Sequence, residues 1–222
     1  MVYVTGDLHG DKERLLSPRM KKLKKNDVLL VCGDFGFVWD GSKEENRLLK
    51  WISNRPYKLL FVEGTHENFG LLAEYPEEEL FEGRVRRLGK NLYQMLKGQV
   101  FTIERKRFFA FGGGDLSGSE DHVEGLNWRV GEHATDDEVA EARGNLDKTN
   151  WSVDYIITHD ATSKVRGFLN VEDDQFTLLE TFLDEVGQNC SFNRWFFGNY
   201  HLDRVVSPLY TAVFKSVIAL DK

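Results

Sequence analysis

The sequence predicts an α/β fold, and three observations carry that reading. Short apolar runs alternate with amphipathic stretches over residues 1–63. Three further short runs follow closely in the middle of the chain, separated by turn-length connections. More apolar runs, spaced by helix-like segments, return towards the C-terminus. Strand and helix in alternation argue for α/β units. The 222 residues fit one domain spanning 1–222, with enough chain to bury a substantial core. A content of 41% apolar and 29% charged residues is that of a globular protein.

Taken in order, Val2–Thr5 reads as the first strand. Lys12–Lys25 reads as helical, punctuated at Ser17-Pro18, where Ser can cap and Pro can open a new turn. Its basic run, Arg19 to Lys25, reads as a solvated face with Lys near a helix C-terminus. Val28–Cys32 is aliphatic on both faces and predicts a buried strand. Lys43–Asn54 carries Leu48, Leu49, Trp51 and Ile52 at helical spacing. Tyr57–Glu63 predicts the next strand. Asn91–Met95, Gln99–Glu104 and Arg107–Phe111 predict an antiparallel patch, ended by Gly112-Gly113-Gly114. Asp115–Thr135 reads as a long loop, and loops of that length in a compact domain are often functional. Thr135 predicts an N-cap for a helix over Asp136–Leu146, with acidic residues suited to its first turn. Gln175–Val186 predicts another helix and Leu209–Leu220 two last strands.

Five of the apolar runs end in the same way. Val2–Thr5 leads into Gly6-Asp7-Leu8-His9-Gly10, Val28–Cys32 into Gly33-Asp34, and Lys58–Glu63 into Gly64-Thr65-His66-Glu67. Tyr155–Thr158 leads into His159-Asp160, and Trp195–Phe197 into Gly198-Asn199-Tyr200-His201. Four of the six histidines sit at these strand ends. One Asp or His after a strand is ordinarily a turn residue, and His122 and His133 are read so. Five such events in order point to a shared cation, because ligand sites in open α/β sheets form beyond the carboxyl ends of strands. Residues i and i+2 of a strand share a side, so an extended path would bring Asp7 and His9 to one ion. Carboxylate and imidazole together suit a hard-to-borderline divalent metal.

The net charge of −7 weighs against a broad nucleic-acid footprint. Cys32 and Cys190 have neither metal-ligand spacing nor a disulfide framework. Nothing resembles a signal peptide or a bilayer-spanning run, so the cytoplasm is the expected compartment and no membrane partner is expected. The oligomeric state is not legible.

The ordered set of five blocks resembles the calcineurin-like metallophosphoesterases over nearly the whole chain. That resemblance implies two mixed β-sheets packed as a sandwich flanked by helices. It implies hydrolysis of phosphomonoesters or phosphodiesters by a metal-activated hydroxide between two divalent metals, Mn²⁺ foremost with Fe, Zn or Ni as alternatives. By position, Asp7, His9 and His201 correspond to ligands of the first metal, Asp34 to the bridging carboxylate and His159 to a ligand of the second. His66 corresponds to the histidine that contacts the substrate phosphate and stabilises or protonates the leaving oxygen. Asp34 and His66 are thus the implied catalytic residues.

Two positions depart from the family pattern, Thr65 for Asn and Asn199 for His. Both correspond to second-metal ligands, and both offer an oxygen that is a weaker donor than imidazole. A weakened second site follows, with a catalytically degenerate metal- or phosphate-binding module as the competing reading. Phe37 stands where many members have an Asp, leaving Glu67 as the adjacent candidate to orient His66. Phe35, Phe37 and Trp39 could line the site or pack in the core; core packing is favoured for Phe35. Trp128 and Arg129, in the long loop, are candidates to cover the site, with Arg129 as a phosphate contact.

Overall fold

The computed structural model describes residues 1–114, 133–171 and 177–220. Strands β1 (Val2–Thr5), β2 (Val28–Cys32), β3 (Lys58–Val62), β4 (Glu77–Leu80), β5 (Gly83–Gly89), β6 (Leu92–Met95) and β13 (Ile218–Ala219) form one sheet, in the order 13-1-2-3-6-5-4. Strands β7 (Gln99–Ile103), β8 (Lys106–Phe111), β9 (Tyr155–Thr158), β10 (Arg194–Phe197), β11 (Arg204–Val205) and β12 (Tyr210–Ala212) form the second, in the order 11-12-10-9-8-7. Both sheets are mixed. β1, β2, β3 and β6 run parallel in the first, and β8, β9, β10 and β12 in the second.

The period of two along each strand divides the side chains between layers. In β2, Val28, Leu30 and Cys32 join Phe101, Phe108, Ile157 and Phe196 from the other sheet in one shared core. Leu29 and Val31 point the other way, towards helices α1 (Lys12–Leu15), α2 (Lys43–Ser53) and α3 (Phe69–Ala73). Helices α4 (Asp136–Lys148), α5 (Ser163–Phe168) and α6 (Leu178–Asn189) cover the outer face of the second sheet through Val139, Leu146, Phe182 and Val186. Each fully buried side chain of this size contributes roughly 1.5–3 kcal/mol. None of the helices among the described residues is long and apolar enough to cross a membrane.

Several boundaries differ from the sequence reading. The predicted Lys12–Lys25 helix is α1 followed by a separate 3₁₀ turn over Met20–Lys22, because Ser17-Pro18 breaks the run. The predicted antiparallel patch is divided. β6 pairs parallel with β3 in the first sheet, while β7 and β8 form a hairpin in the second. The chain changes sheets at Leu96-Lys97-Gly98, where Gly98 adopts φ +73° and lies against Ala142 of α4 so closely that a Cβ would not fit. Thr135 caps α4 as expected, in a reciprocal capping box with Glu138. α6 begins at Leu178 under a Thr177 cap, later than predicted. Residues 115–132, including His122, Trp128 and Arg129, lie outside the described residues.

Candidate metal centre

The parallel strands β1, β2, β3, β9 and β10 deliver their following residues to one place. Asp7, after β1, is fully buried. The N–H groups of Leu8 and His9 donate to the Asp34 carbonyl at 2.9 and 2.8 Å, tying the loop after β1 to the loop after β2. The Asn199 N–H donates to Asp7 Oδ1 at 3.2 Å, which ties in the loop after β10. The Thr65 and His66 N–H groups donate to Asp34 Oδ1 at 2.7 and 2.8 Å, which ties in the loop after β3. The His159 Nδ1–H donates to the Cys32 carbonyl at 3.1 Å, linking the sheets and leaving Nε2 as the free lone pair.

Those ties bring one oxygen or nitrogen each of Asp7, His9, Asp34 and His201 within 4.8 Å of one another. His9 Nε2 and His201 Nε2 are 2.7 Å apart. His9 Nε2 is 3.6 Å from Asp34 Oδ2, and His201 Nε2 is 3.5 Å from Asp7 Oδ2. His159 lies beside this group, with Nε2 at 3.6 Å from Asp34 Oδ1 and Nδ1 at 3.5 Å from Asp7 Oδ1. His66 Nδ1 is 2.8 Å from Asp34 Oδ2 and 3.1 Å from Thr65 Oγ1.

Asp7 and His9 do not converge by strand alternation. His9 turns back with φ +48°, and Asp34, Asn199 and His201 are also left-handed, at φ +41°, +65° and +51°. Non-glycine residues there cost of order 1–3 kcal/mol each and persist where surroundings impose them. Tertiary hydrogen bonds impose them here.

Two polar atoms in the centre are buried with no hydrogen-bond partner among the described residues, Asp7 Oδ2 and His159 Nε2. Leaving such groups unmade costs about 1–3 kcal/mol each, more when charged. Both atoms are acceptors in the tautomer set by Cys32, and both would be satisfied by a cation. Electrostatics agree. Burial alone would push the Asp34 pKa up, yet His159, His66 and their hydrogen bonds outweigh it and hold Asp34 well below the usual carboxylate range. Burial alone would lower the His159 pKa, yet Asp34, Asp7 and the Cys32 carbonyl raise it to about 10. The two carboxylates thus make the pocket favour positive charge beside His159, which a metal would supply. Donor types, spacing and unsatisfied atoms all fit a divalent cation.

Four supporting residues were not legible as such. Glu67 is buried, and its carboxylate accepts the N–H groups of Phe35 at 2.6 Å and Gly36 at 3.3 Å. It shapes the loop after β2, so Glu67 does not take the His66-orienting role; Asp34 Oδ2 and Thr65 Oγ1 contact His66 Nδ1 instead. Arg14 Nη1 donates to the Asp7 carbonyl at 2.7 Å. Asp203 accepts the N–H groups of Phe214, Lys215 and Ser216 at 2.9–3.1 Å, and the Phe214 ring stacks on His201 at 4.7 Å. Tyr200 donates its hydroxyl to Asp160 Oδ1. Phe35 and Phe37 both pack in the core under the first sheet, and Trp39 is exposed, so these three form no wall beside the centre.

Close packing at Gly33 gives a first expected result. Gly33 has φ +95°, and a Cβ there would meet His159 Nδ1 at 2.0 Å. Gly33→Ala should destabilise the protein by about 1–3 kcal/mol, as overpacking does, and weaken cation binding through the displaced imidazole. Urea denaturation with and without Mn²⁺ reads both effects; a variant matching wild type in both would contradict this packing.

Comparison with known proteins gives one family. The model of the calcineurin-like phosphoesterases matches residues 1–198. No curated protein matches the chain. The match ends at Gly198, while the fold carries His201 into the same cluster as Asp7, His9 and Asp34. Coverage of nearly the whole chain, with strand-end acids and imidazoles gathered at one point, establishes that the chain belongs to the calcineurin-like phosphoesterase family.

Proposed function

We propose that this protein is a metal-dependent phosphoesterase acting on a small phosphomonoester or phosphodiester. Asp7, His9, Asp34 and His201 hold a first divalent cation, and Asp34, His159, Thr65 and Asn199 hold a second one more weakly. The observation that carries this reading is the four-residue donor cluster together with the buried, unpartnered Asp7 Oδ2 and His159 Nε2. His9 Nε2 and His201 Nε2, 2.7 Å apart, are close enough together to serve one ion. When bound, divalent ions supply Lewis acidity, a lowered pKa for water and charge neutralisation of phosphoryl oxygens. Mn²⁺ suits a site in which hydroxyl and amide oxygens replace stronger donors.

The chain's own residues define the rest. Asp34 and Thr65 occupy His66 Nδ1, which leaves Nε2 to meet a phosphoryl or leaving-group oxygen. The His66 side chain is 48% exposed, as a substrate-contacting group requires. Arg129 remains a candidate phosphate contact on chemical grounds alone. His66→Asn should lower turnover by about 10²–10⁴, the usual contribution of a positioned proton donor, and leave Mn²⁺ affinity within a few-fold. Steady-state kinetics beside calorimetric Mn²⁺ titration checks the split; equal losses in both would make His66 a ligand.

Hydrolysis of an aryl phosphate and an aryl phosphodiester, with and without Mn²⁺, tests the proposal. Mn²⁺-dependent release from one of them is expected. The second reading, a binding module without turnover, is favoured by Thr65 and Asn199. Tight Mn²⁺ binding without hydrolysis of either ester would establish it.

A further inference from the structure

The residue between Asn199 and His201 supports the centre from outside the ligand set. Tyr200 donates its hydroxyl to Asp160 Oδ1, and Asp160 directly follows His159. This bond joins the loop after β10 to the loop after β9, the two loops that the second sheet contributes. Resting on the phosphoesterase reading above, we propose that Tyr200 and Asp160 are positioning residues, a clasp that sets His201 and Asn199 against His159 and so governs cation affinity.

Three observations support the clasp. First, Asn199 and His201 flank Tyr200 with φ +65° and +51°, so local backbone preference does not hold this turn. Other ties are Gly198 N–H to the His159 carbonyl at 3.0 Å, Tyr200 N–H to the Gly198 carbonyl at 2.8 Å, and Asn199 N–H to Asp7. All precede His201, and Tyr200 is the last anchored side chain before it.

Second, Asp160 is itself fixed. Its Oδ1 accepts the Ala161 N–H at 2.7 Å, and its Oδ2 lies 3.7 Å from Arg166 Nη1. Arg166 in turn lies 3.7 Å from Glu180 of α6, and all three charged groups are buried. The carbonyl of Asp160 accepts the Thr158 hydroxyl, which accepts the Trp195 indole N–H at 2.7 Å. The clasp is thus bolted to β9, β10, α5 and α6.

Third, the Tyr200 hydroxyl is the donor and the Asp160 carboxylate the acceptor. A hydrogen bond to a charged acceptor is among the stronger kinds and is sensitive to removal of either partner.

Tyr200→Phe deletes the hydroxyl and keeps the ring against Phe197, 5.7 Å away. Calorimetric Mn²⁺ titration of the full chain should show affinity lowered by roughly 10–100-fold, the usual effect of losing a group that orients a ligand. The unfolding temperature of the metal-free variant should stay close to wild type, and NMR signals of the His159 and His201 rings should shift. Wild-type Mn²⁺ affinity in Y200F overturns the clasp and leaves the phosphoesterase reading intact. A large loss of metal-free stability, or failure of the variant to fold, makes the bond a structural one and also overturns it. Absence of Mn²⁺ binding by the wild-type protein overturns both readings.

Discussion

Asp34→Asn should give a folded protein that neither holds a divalent cation nor hydrolyses a phosphoester. Asp34 is the hub of the centre. Its Oδ1 takes two backbone N–H groups and faces His159, while its Oδ2 faces His66 and His9. The amide oxygen of Asn can still accept from Thr65 and His66, so the loop after β3 keeps its support. Its NH₂ would stand where Oδ2 stands, a donor against two imidazoles, and the negative charge between them would be gone. Cation affinity should therefore fall by more than the roughly 10–100-fold typical of residues that only support a ligand. Turnover should drop by at least about 10³-fold, or some 4 kcal/mol of barrier. Metal content by mass spectrometry and steady-state rates read the result. An Asp34→Asn protein with wild-type metal and turnover would show that the centre lies elsewhere.

The double substitution Thr65→Asn, Asn199→His should act in the opposite direction. Both residues follow a glycine at a strand end, beside Asp34 and Asp7 respectively. Thr65 is 2% exposed, and its methyl group lies where a Cβ on Gly114 would meet it at 2.6 Å, so an Asn of similar size has little room to swing elsewhere. Imidazole at 199 supplies the stronger donor that the present amide does not. The second cation should bind about 10-fold more tightly or better, and turnover at limiting Mn²⁺ should rise with it. Titration resolved into two classes of site, alongside initial rates at low and high Mn²⁺, separates the gain in binding from any gain in chemistry. Unchanged affinity and rate would remove these positions from the ligand set.

The strand ends were legible because their signal is local: a short apolar run, then a polar block carrying an acid or imidazole, opened by Gly in four of the five. β2 shows it best, with Val28–Cys32 buried on both faces and Asp34 close behind. The centre itself was legible only as a set, since the left-handed turns at His9, Asn199 and His201 that make it converge leave no mark in the residue types. β4 and β5 were not legible. Glu77–Leu80 and Gly83–Gly89 are rich in charge and drew no strand expectation, yet they pair antiparallel at the sheet edge with Glu77 bridged to Arg84 and Arg86 and Glu78 to Arg87. Such cross-strand pairs each contribute a few tenths of a kcal/mol or more and replace the apolar alternation a reader looks for. The division of β6 from β7 and β8 was hidden for a similar reason, since strands in either sheet share one composition and only the partner decides. Glu67 shows the limit of adjacency: it is next to His66 in sequence, but its carboxylate faces the loop after β2.

The central claim is that scattered acids and imidazoles share one cation. The most direct measurement is an anomalous difference map from crystals grown with Mn²⁺. A strong peak bounded by Asp7, His9, Asp34 and His201, with a weaker one towards His159, is the predicted result. No peak there at saturating Mn²⁺, or one held by other residues, would contradict it.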